Sequence, residues 1–255
     1  MDIDLNADLG EGFGHWRMGE DEALLSVLSS ANVACGFHAG DPAIMDRTVR
    51  QALTHGVDVG AHVGFPDLQG FGRRPMQIDT KELASYVVYQ LGALAGMAQA
   101  AGHRMTHMSF HGALGNMAAA DAALAEPLLA AVAAFDRRLI VSTSASQAIE
   151  KSAVQHGLRV GITFLADRAC DSQGLLIPRG QPNAVITDKA AVLARVQQLL
   201  TDGTVTAYSG EKIPMRVNSI LLHGDTPGAL DLARAVRKLV ESGHGRIVSI
   251  SRQLA

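Results

Sequence analysis

The residues able to do chemistry in this 255-residue chain recur at one kind of place, just past a short apolar run. Asn6, Asp8 and Glu11 follow the first run. His38 and Asp41 follow the second, inside ANVACGFHAGDP (residues 31–42). His62, Asp67, Arg73 and Arg74 follow the third, and His111 and Asn116 the fourth. Asp167 and Arg168 follow the sixth, with Arg179 further along, and His223 and Asp225 follow the seventh. Carboxylates and imidazoles at this density suit proton transfer or a divalent ion. The arginines suit a carboxylate or phosphate on a ligand. Residue types alone fix no metal set and leave metal binding open. There is no Gly-x-Ser-x-Gly elbow and no Gly-x-x-x-x-Gly-Lys-Ser/Thr loop. One histidine in such a setting reads as a hydrogen-bonded structural residue. Four of the ten share it, which reads as a single site; the alternative is a polar rim that bonds loop backbones.

The elements that must position these residues alternate. Apolar strand-like runs cover residues 3–6, 32–35, 57–61, 105–110, 139–142, 158–165 and 219–222. Helical patterns cover residues 21–28, 43–55, 80–101, 118–134, 145–156, 188–200 and 227–241, with Asp41 as N-cap before Pro42 and Thr80 as a second N-cap. Residues 205–208 and 213–217 form a candidate hairpin, and 246–250 a short terminal strand without an evident partner. No linker or low-complexity segment interrupts the series, so one domain over residues 1–255 is expected. Strand–helix alternation implies a parallel sheet covered by helices. An open doubly wound sheet and a closed barrel both bind ligands at the carboxyl ends of their strands. The barrel is favoured because polar loops follow nearly every strand, whereas an open sheet gathers them near one switch point.

Composition narrows the classes further. Hydrophobic residues make up 47% of the chain, enough for a sizeable core. A net charge of −3 speaks against nucleic acid or an anionic membrane surface as partner. No apolar run reaches the roughly 20 residues of a membrane span. The first residues lack the basic and apolar regions of a signal peptide. Cys35 and Cys170 form no Cys-x-x-Cys pair, which fits a reduced, cytoplasmic protein.

Five stretches together carry a resemblance: DLNADLGEGFG (4–14), ANVACGFHAGDP (31–42), GAHVGFPDLQGFGRR (60–74), ADR (166–168) and HGDTPGA (223–229). The chain closely resembles the LamB/YcsF family over essentially its whole length. The resemblance implies a distorted seven-stranded parallel β/α barrel related to the glycoside-hydrolase and polysaccharide-deacetylase barrels. It also implies ATP-dependent opening of 5-oxo-L-proline, or a related lactam, to L-glutamate, together with 5-oxoprolinase B and C subunits. A lactam lacks a strong leaving group, so coupling its opening to ATP makes chemical sense. Asp8, His38, His62, His111 and Asp167 are then expected to be catalytic. Asn6, Glu11, Asp41, Arg73, Arg74, Asn116, Arg168, Arg179, His223 and Asp225 are expected to bind substrate. The competing readings are a metal-assisted deacetylase-like hydrolase and a non-catalytic ligand-binding subunit.

The chain departs from the family pattern at a few positions. Where the family has Lys-Pro-His-Gly-Ala-Leu-Tyr-Asn, this chain has SFHGALGN, so Ser109, Phe110 and Gly115 replace the lysine, proline and tyrosine. Thr163 aligns with a glutamate and Cys170 with a tyrosine. The absent lysine and glutamate read as one interacting pair removed together, which points to a divergent member.

Overall fold

A computed structural model describes residues 1–224 and 228–255. Its strands are β1 (Asp2–Leu9), β2 (Ser30–Ala34), β3 (Asp58–Val63), β4 (Met105–Phe110), β5 (Ile140–Thr143), β6 (Arg159–Leu165), β7 (Thr204–Thr206), β8 (Lys212–Pro214), β9 (Ser219–His223) and β10 (Arg246–Ile247). Its helices are α1 (Asp21–Leu25), α2 (Pro42–His55), α3 (Thr80–Ala100), α4 (Gly112–Ala120), α5 (Ala122–Phe135), α6 (Gln147–Gln155), α7 (Lys189–Asp202), α8 (Ala229–Ser242) and α9 (Ile250–Gln253). β1 to β6 pair in parallel in chain order, β9 pairs with β6, and β9 also pairs with β1. That last pairing closes a seven-stranded barrel, with β7 and β8 as a separate antiparallel hairpin.

Alternation along β1 explains the wall. Ile3, Leu5, Ala7 and Leu9 are fully buried in the apolar layer beneath the helices. Asp4, Asn6 and Asp8 face inward, and their partners across the barrel are polar as well. Asn6 Nδ2 donates to Asn32 Oδ1 at 3.2 Å, and His107 Nε2 lies 3.1 Å from the same oxygen. The His107 ring crosses directly over Gly60, where a Cβ would lie 2.2 Å from it. The interior is therefore a hydrogen-bonded column in place of the branched apolar layers usual in such barrels. At the amino end of the strands, Ile250 of α9 covers Gly161 and closes the floor.

Several expected boundaries shift for local reasons. The helix expected at 118–134 is two helices, because Asp121 leaves helical geometry and accepts a hydrogen bond from Ala123 N to cap α5. Asp79, not Thr80, caps α3, accepting from Lys81 N and Glu82 N. The Asp41 cap of α2 is present as expected, accepting from Ala43 N and Ile44 N. The terminal strand is only Arg246–Ile247, and its partner is β1, with Asp2 beside Arg246. No single helix among the described residues is long and apolar enough to cross a membrane.

Candidate active site at the carboxyl end of the barrel

A cavity of about 330 Å³ opens at the carboxyl ends of the strands. Asp8, His62, Ser109, His111 and His223 line one side, and Arg73, Arg168, Arg179 and Asn116 also reach it. The residues come from different strands, so closure of the barrel is what makes them neighbours.

The centre is a chain of polar contacts. Asn32 Nδ2 donates to Asp8 Oδ1 at 2.9 Å, and His62 Nε2 lies 3.3 Å from the same oxygen. His62 Nε2 is 2.9 Å from His111 Nδ1, and His111 Nε2 is 2.8 Å from the Phe71 carbonyl. A carbonyl only accepts, so His111 Nε2 carries the proton and its Nδ1 accepts. His62 therefore donates from Nε2, and its Nδ1 accepts the hydroxyl of Ser109 at 2.7 Å. His38 stacks on His111 with ring centroids 3.8 Å apart, and its Nε2 lies 3.3 Å from Glu11 Oε1. His38 Nδ1 is buried without a hydrogen-bond partner, so Glu11 is the anchor of that ring.

A second pair stands beside this chain. His223 Nδ1 lies 2.9 and 2.8 Å from the two Asp167 oxygens. Burial alone would raise Asp167, but the His223 charge and hydrogen bond outweigh it and hold the carboxyl below its usual range. Burial likewise opposes charge on His223, yet Asp167, helped by Asp8, raises its proton affinity. Asp8 is also held well below the usual carboxylate range: burial opposes this, and His62, His223 and Asn32 together prevail. Burial pushes His38 and His111 well below the ordinary imidazole value, and neighbouring positive groups add to it. At neutral pH the site thus joins ionised carboxylates, neutral imidazoles and one histidine biased toward its charged form.

The other expected residues divide by place. Asn6 lies deeper in the barrel, on Asn32. Asp41 caps α2 and also accepts from Gly14 N at 2.8 Å. Arg74 is mostly exposed and pairs with Asp67; neither is among the residues that line the cavity. Arg168 lines the cavity, but its guanidinium also donates to Ala184 O at 3.2 Å and Ile177 O at 2.6 Å, bracing the loop after β6. Burial, with Arg179 nearby, pulls its proton affinity down to about 10. Asp225 lies outside the described residues.

Ser109 and Thr163 both line the cavity without touching each other: Ser109 bonds His62, while Thr163 Oγ1 is 2.8 Å from Ser142 Oγ. Sequence reasoning missed Asn32 and His107 as members of the network, and Arg195, which donates to Arg168 O at 2.8 Å. For Asn32 and His107 the available signal was a polar residue at every second position of an otherwise apolar strand; Arg195, on α7, gave none.

Fold and site together define a closed parallel β/α barrel with a buried acid–histidine cluster at its carboxyl mouth. Residues 3–255 match the LamB/YcsF family, and the chain belongs to it. It is 67% identical over 254 residues to the second 5-oxoprolinase A subunit of Ralstonia nicotianae, covering 100% of this chain and 98% of that protein. It is 65% identical over 254 residues to the first 5-oxoprolinase A subunit of Pseudomonas syringae pv. tomato, covering 100% and 99%. Among solved structures, the lactam utilization protein of Thermus thermophilus superposes with a TM-score of 0.90 at 39% identity, over 98% of this chain and 100% of that one. A putative cellobiose-phosphate cleavage protein of Enterococcus faecalis shares the fold alone, with a TM-score of 0.57 at 12% identity, over 100% and 98%.

Proposed function

We propose that this chain, acting as one barrel unit over residues 1–255, is the A subunit of a cytoplasmic, ATP-dependent hydrolase. The enzyme opens 5-oxo-L-proline, or a closely related lactam, to its amino acid with separate B and C subunits. The observation that carries this reading is the convergence of Asp8–His62–His111, His223–Asp167 and three arginines on one cavity. The names of the relatives supply the substrate class, membership of a multi-subunit enzyme and lactam use.

The chemistry follows from charge. Opening a lactam needs a nucleophile at the carbonyl, a donor for the developing oxyanion and a proton for the departing ring nitrogen. Water is the nucleophile, and Asp8, ionised and in contact with His62, is the base that takes its proton as the C–O bond forms and the ring C–N bond breaks. His223, biased toward its charged form by Asp167, is the acid. Arg73 and Arg179 take the ring carboxylate, and Arg168 holds its loop against that wall. The amide oxygen is activated by ATP in concert with the partner subunits, since the chain has no P-loop sequence of its own. Ser109 and Thr163 shape the cavity, and an amide related to 5-oxoproline is the substrate where they disfavour 5-oxoproline itself.

The test is glutamate release from 5-oxo-L-proline with purified B and C subunits and ATP. Turnover is expected only when all three subunits and ATP are present. Robust ATP-dependent release by the isolated chain, or full turnover by B and C without it, would overturn the reading.

A further inference from the structure

Four buried side chains at the carboxyl end of the barrel, of which His62 and His111 line the cavity, share a geometry that proton transfer does not require. One donor atom from each of Glu11, His38, His62 and His111 falls within 4.8 Å of every other. Glu11 Oε1 lies 3.3 Å from His38 Nε2 and 3.7 Å from His111 Nδ1, which lies 2.9 Å from His62 Nε2. A tetrahedral ion with ligand distances of about 2.0–2.1 Å has ligand–ligand edges of about 3.3–3.4 Å. These three edges scatter around that value, and the other three are no longer than 4.8 Å, so the four donors would have to draw together around an ion. We propose that Glu11, His38, His62 and His111 bind a divalent transition-metal ion, and that the Ser109 hydroxyl sets the His62 tautomer that admits it. This deepens the reading of the same mouth and rests on it only for the ion's use in amide chemistry.

Ligand type narrows the ion. Three imidazoles and one carboxylate suit zinc or cobalt, whereas magnesium and calcium prefer oxygen. Charge supports a dication: Glu11 and Asp8, both buried at the cluster, supply two negative charges to balance it. For His111 and His62 the surrounding hydrogen bonds are those a ligating histidine needs, whereas His38 Nδ1 has none. His111 gives its Nε2 proton to Phe71 O, which leaves the Nδ1 lone pair facing the cluster. His62 is the adjustable member. In the hydrogen-bonded arrangement its Nε2 proton faces His111 and its Nδ1 accepts from Ser109. A hydroxyl donates or accepts equally well. Rotation of the Ser109 O–H lets His62 hold its proton at Nδ1 and present the Nε2 lone pair, without moving a heavy atom.

The test uses the whole chain, stripped with a chelator and titrated with Co(II) alone, then with zinc in competition. One ion per chain is expected, with the visible d–d bands of four-coordinate cobalt, lost on adding zinc. His38→Ala and His111→Ala should abolish those bands in protein with the parent's circular dichroism, while His156→Ala, a half-buried histidine away from the cluster and paired with Glu126, keeps them. Ser109→Ala should weaken binding about 10–100-fold, Ser109→Thr should retain it, and the donor-only ammonium of Ser109→Lys should abolish it. A parent that binds no Co(II), or bands unchanged in folded His38→Ala and His111→Ala, would overturn the site. Unchanged affinity in both Ser109→Ala and Ser109→Lys would overturn the tautomer role. Ion binding without lactam turnover would leave this site standing and sink the lactam reading; full turnover by a chain that binds no ion would do the reverse.

Discussion

Asp4 and Asp8 lie four residues apart on the inward face of β1, both buried, yet their proton affinities move in opposite directions. At the floor, Asp4 accepts from three hydroxyls: Ser29 at 2.7 Å, Ser30 at 2.6 Å and Ser219 at 2.7 Å. Burial dominates those neutral donors and pushes the Asp4 carboxyl up to about 6. At the mouth, Asp8 meets imidazoles and an amide, and their attraction outweighs burial. One strand thus carries a carboxyl that ties β1, β2 and β9 together at one end, and a charged one poised over a cavity at the other. Burial alone does not make a carboxylate reactive; the charge of its partners decides.

Four perturbations separate the two ends. The largest effect belongs to the mouth: Asp8→Asn should lower kcat/KM of the reconstituted enzyme about 10²–10⁴-fold, the usual range for a general base. Asp4→Asn should leave turnover within a few-fold. Equal losses in the two variants would erase the distinction. Next, Asp167→Asn leaves His223 buried without its ionic partner and should cost about 3–5 kcal/mol in urea unfolding; a change below about 1 kcal/mol would mean the pair is already solvated.

The floor carries the third effect, with a defined sign. Folded Asp4, at about 6, binds its proton more tightly than the unfolded carboxyl at 3.8. Its contribution to stability is therefore full below the unfolded value and lost as pH rises through the folded one. Between about pH 4 and 7 this component amounts to about 3 kcal/mol. Asp4→Asn should remove it, so the variant's stability relative to the parent should rise across that window. Parallel stability–pH curves would contradict the assignment. The Asp167 component has the opposite sign: its lowered carboxyl stabilises above the unfolded value and loses that contribution as pH falls. The smallest effect is expected for the exposed guanidinium of Arg74: Arg74→Ala should change stability by about 1 kcal/mol or less and leave KM unchanged.

Much of the frame is legible in the sequence because the barrel obeys patterns of short range. Each strand is an apolar run followed by a polar loop, and Asp41-Pro42 announces its helix start. Asp79 in place of Thr80 is a choice between neighbouring caps of similar type, whereas Asp121 interrupts an apolar run that reads as one helix. The candidate residues are legible as a set because four histidines share a place after strands. Their pairing is not: His38 on His111 depends on β2, β3 and β4 lying side by side, and His223 on Asp167 depends on β9 pairing with β6, which joins residues far apart in the chain. Asn32 and His107 escape notice because inward polar residues in a barrel strand look like exceptions to an apolar run. Arg74 and Asp41 look functional by type, but their local partners account for them.

The most direct measurement is a structure of the three-subunit complex with 5-oxo-L-proline bound. The ring is expected in the cavity, its carboxylate on the wall of Arg73 and Arg179 and its lactam carbonyl toward Asp8 and His62. A ligand seated elsewhere, with this cavity filled by a partner's side chains, would contradict the assignment of the barrel mouth as the place where the amide opens.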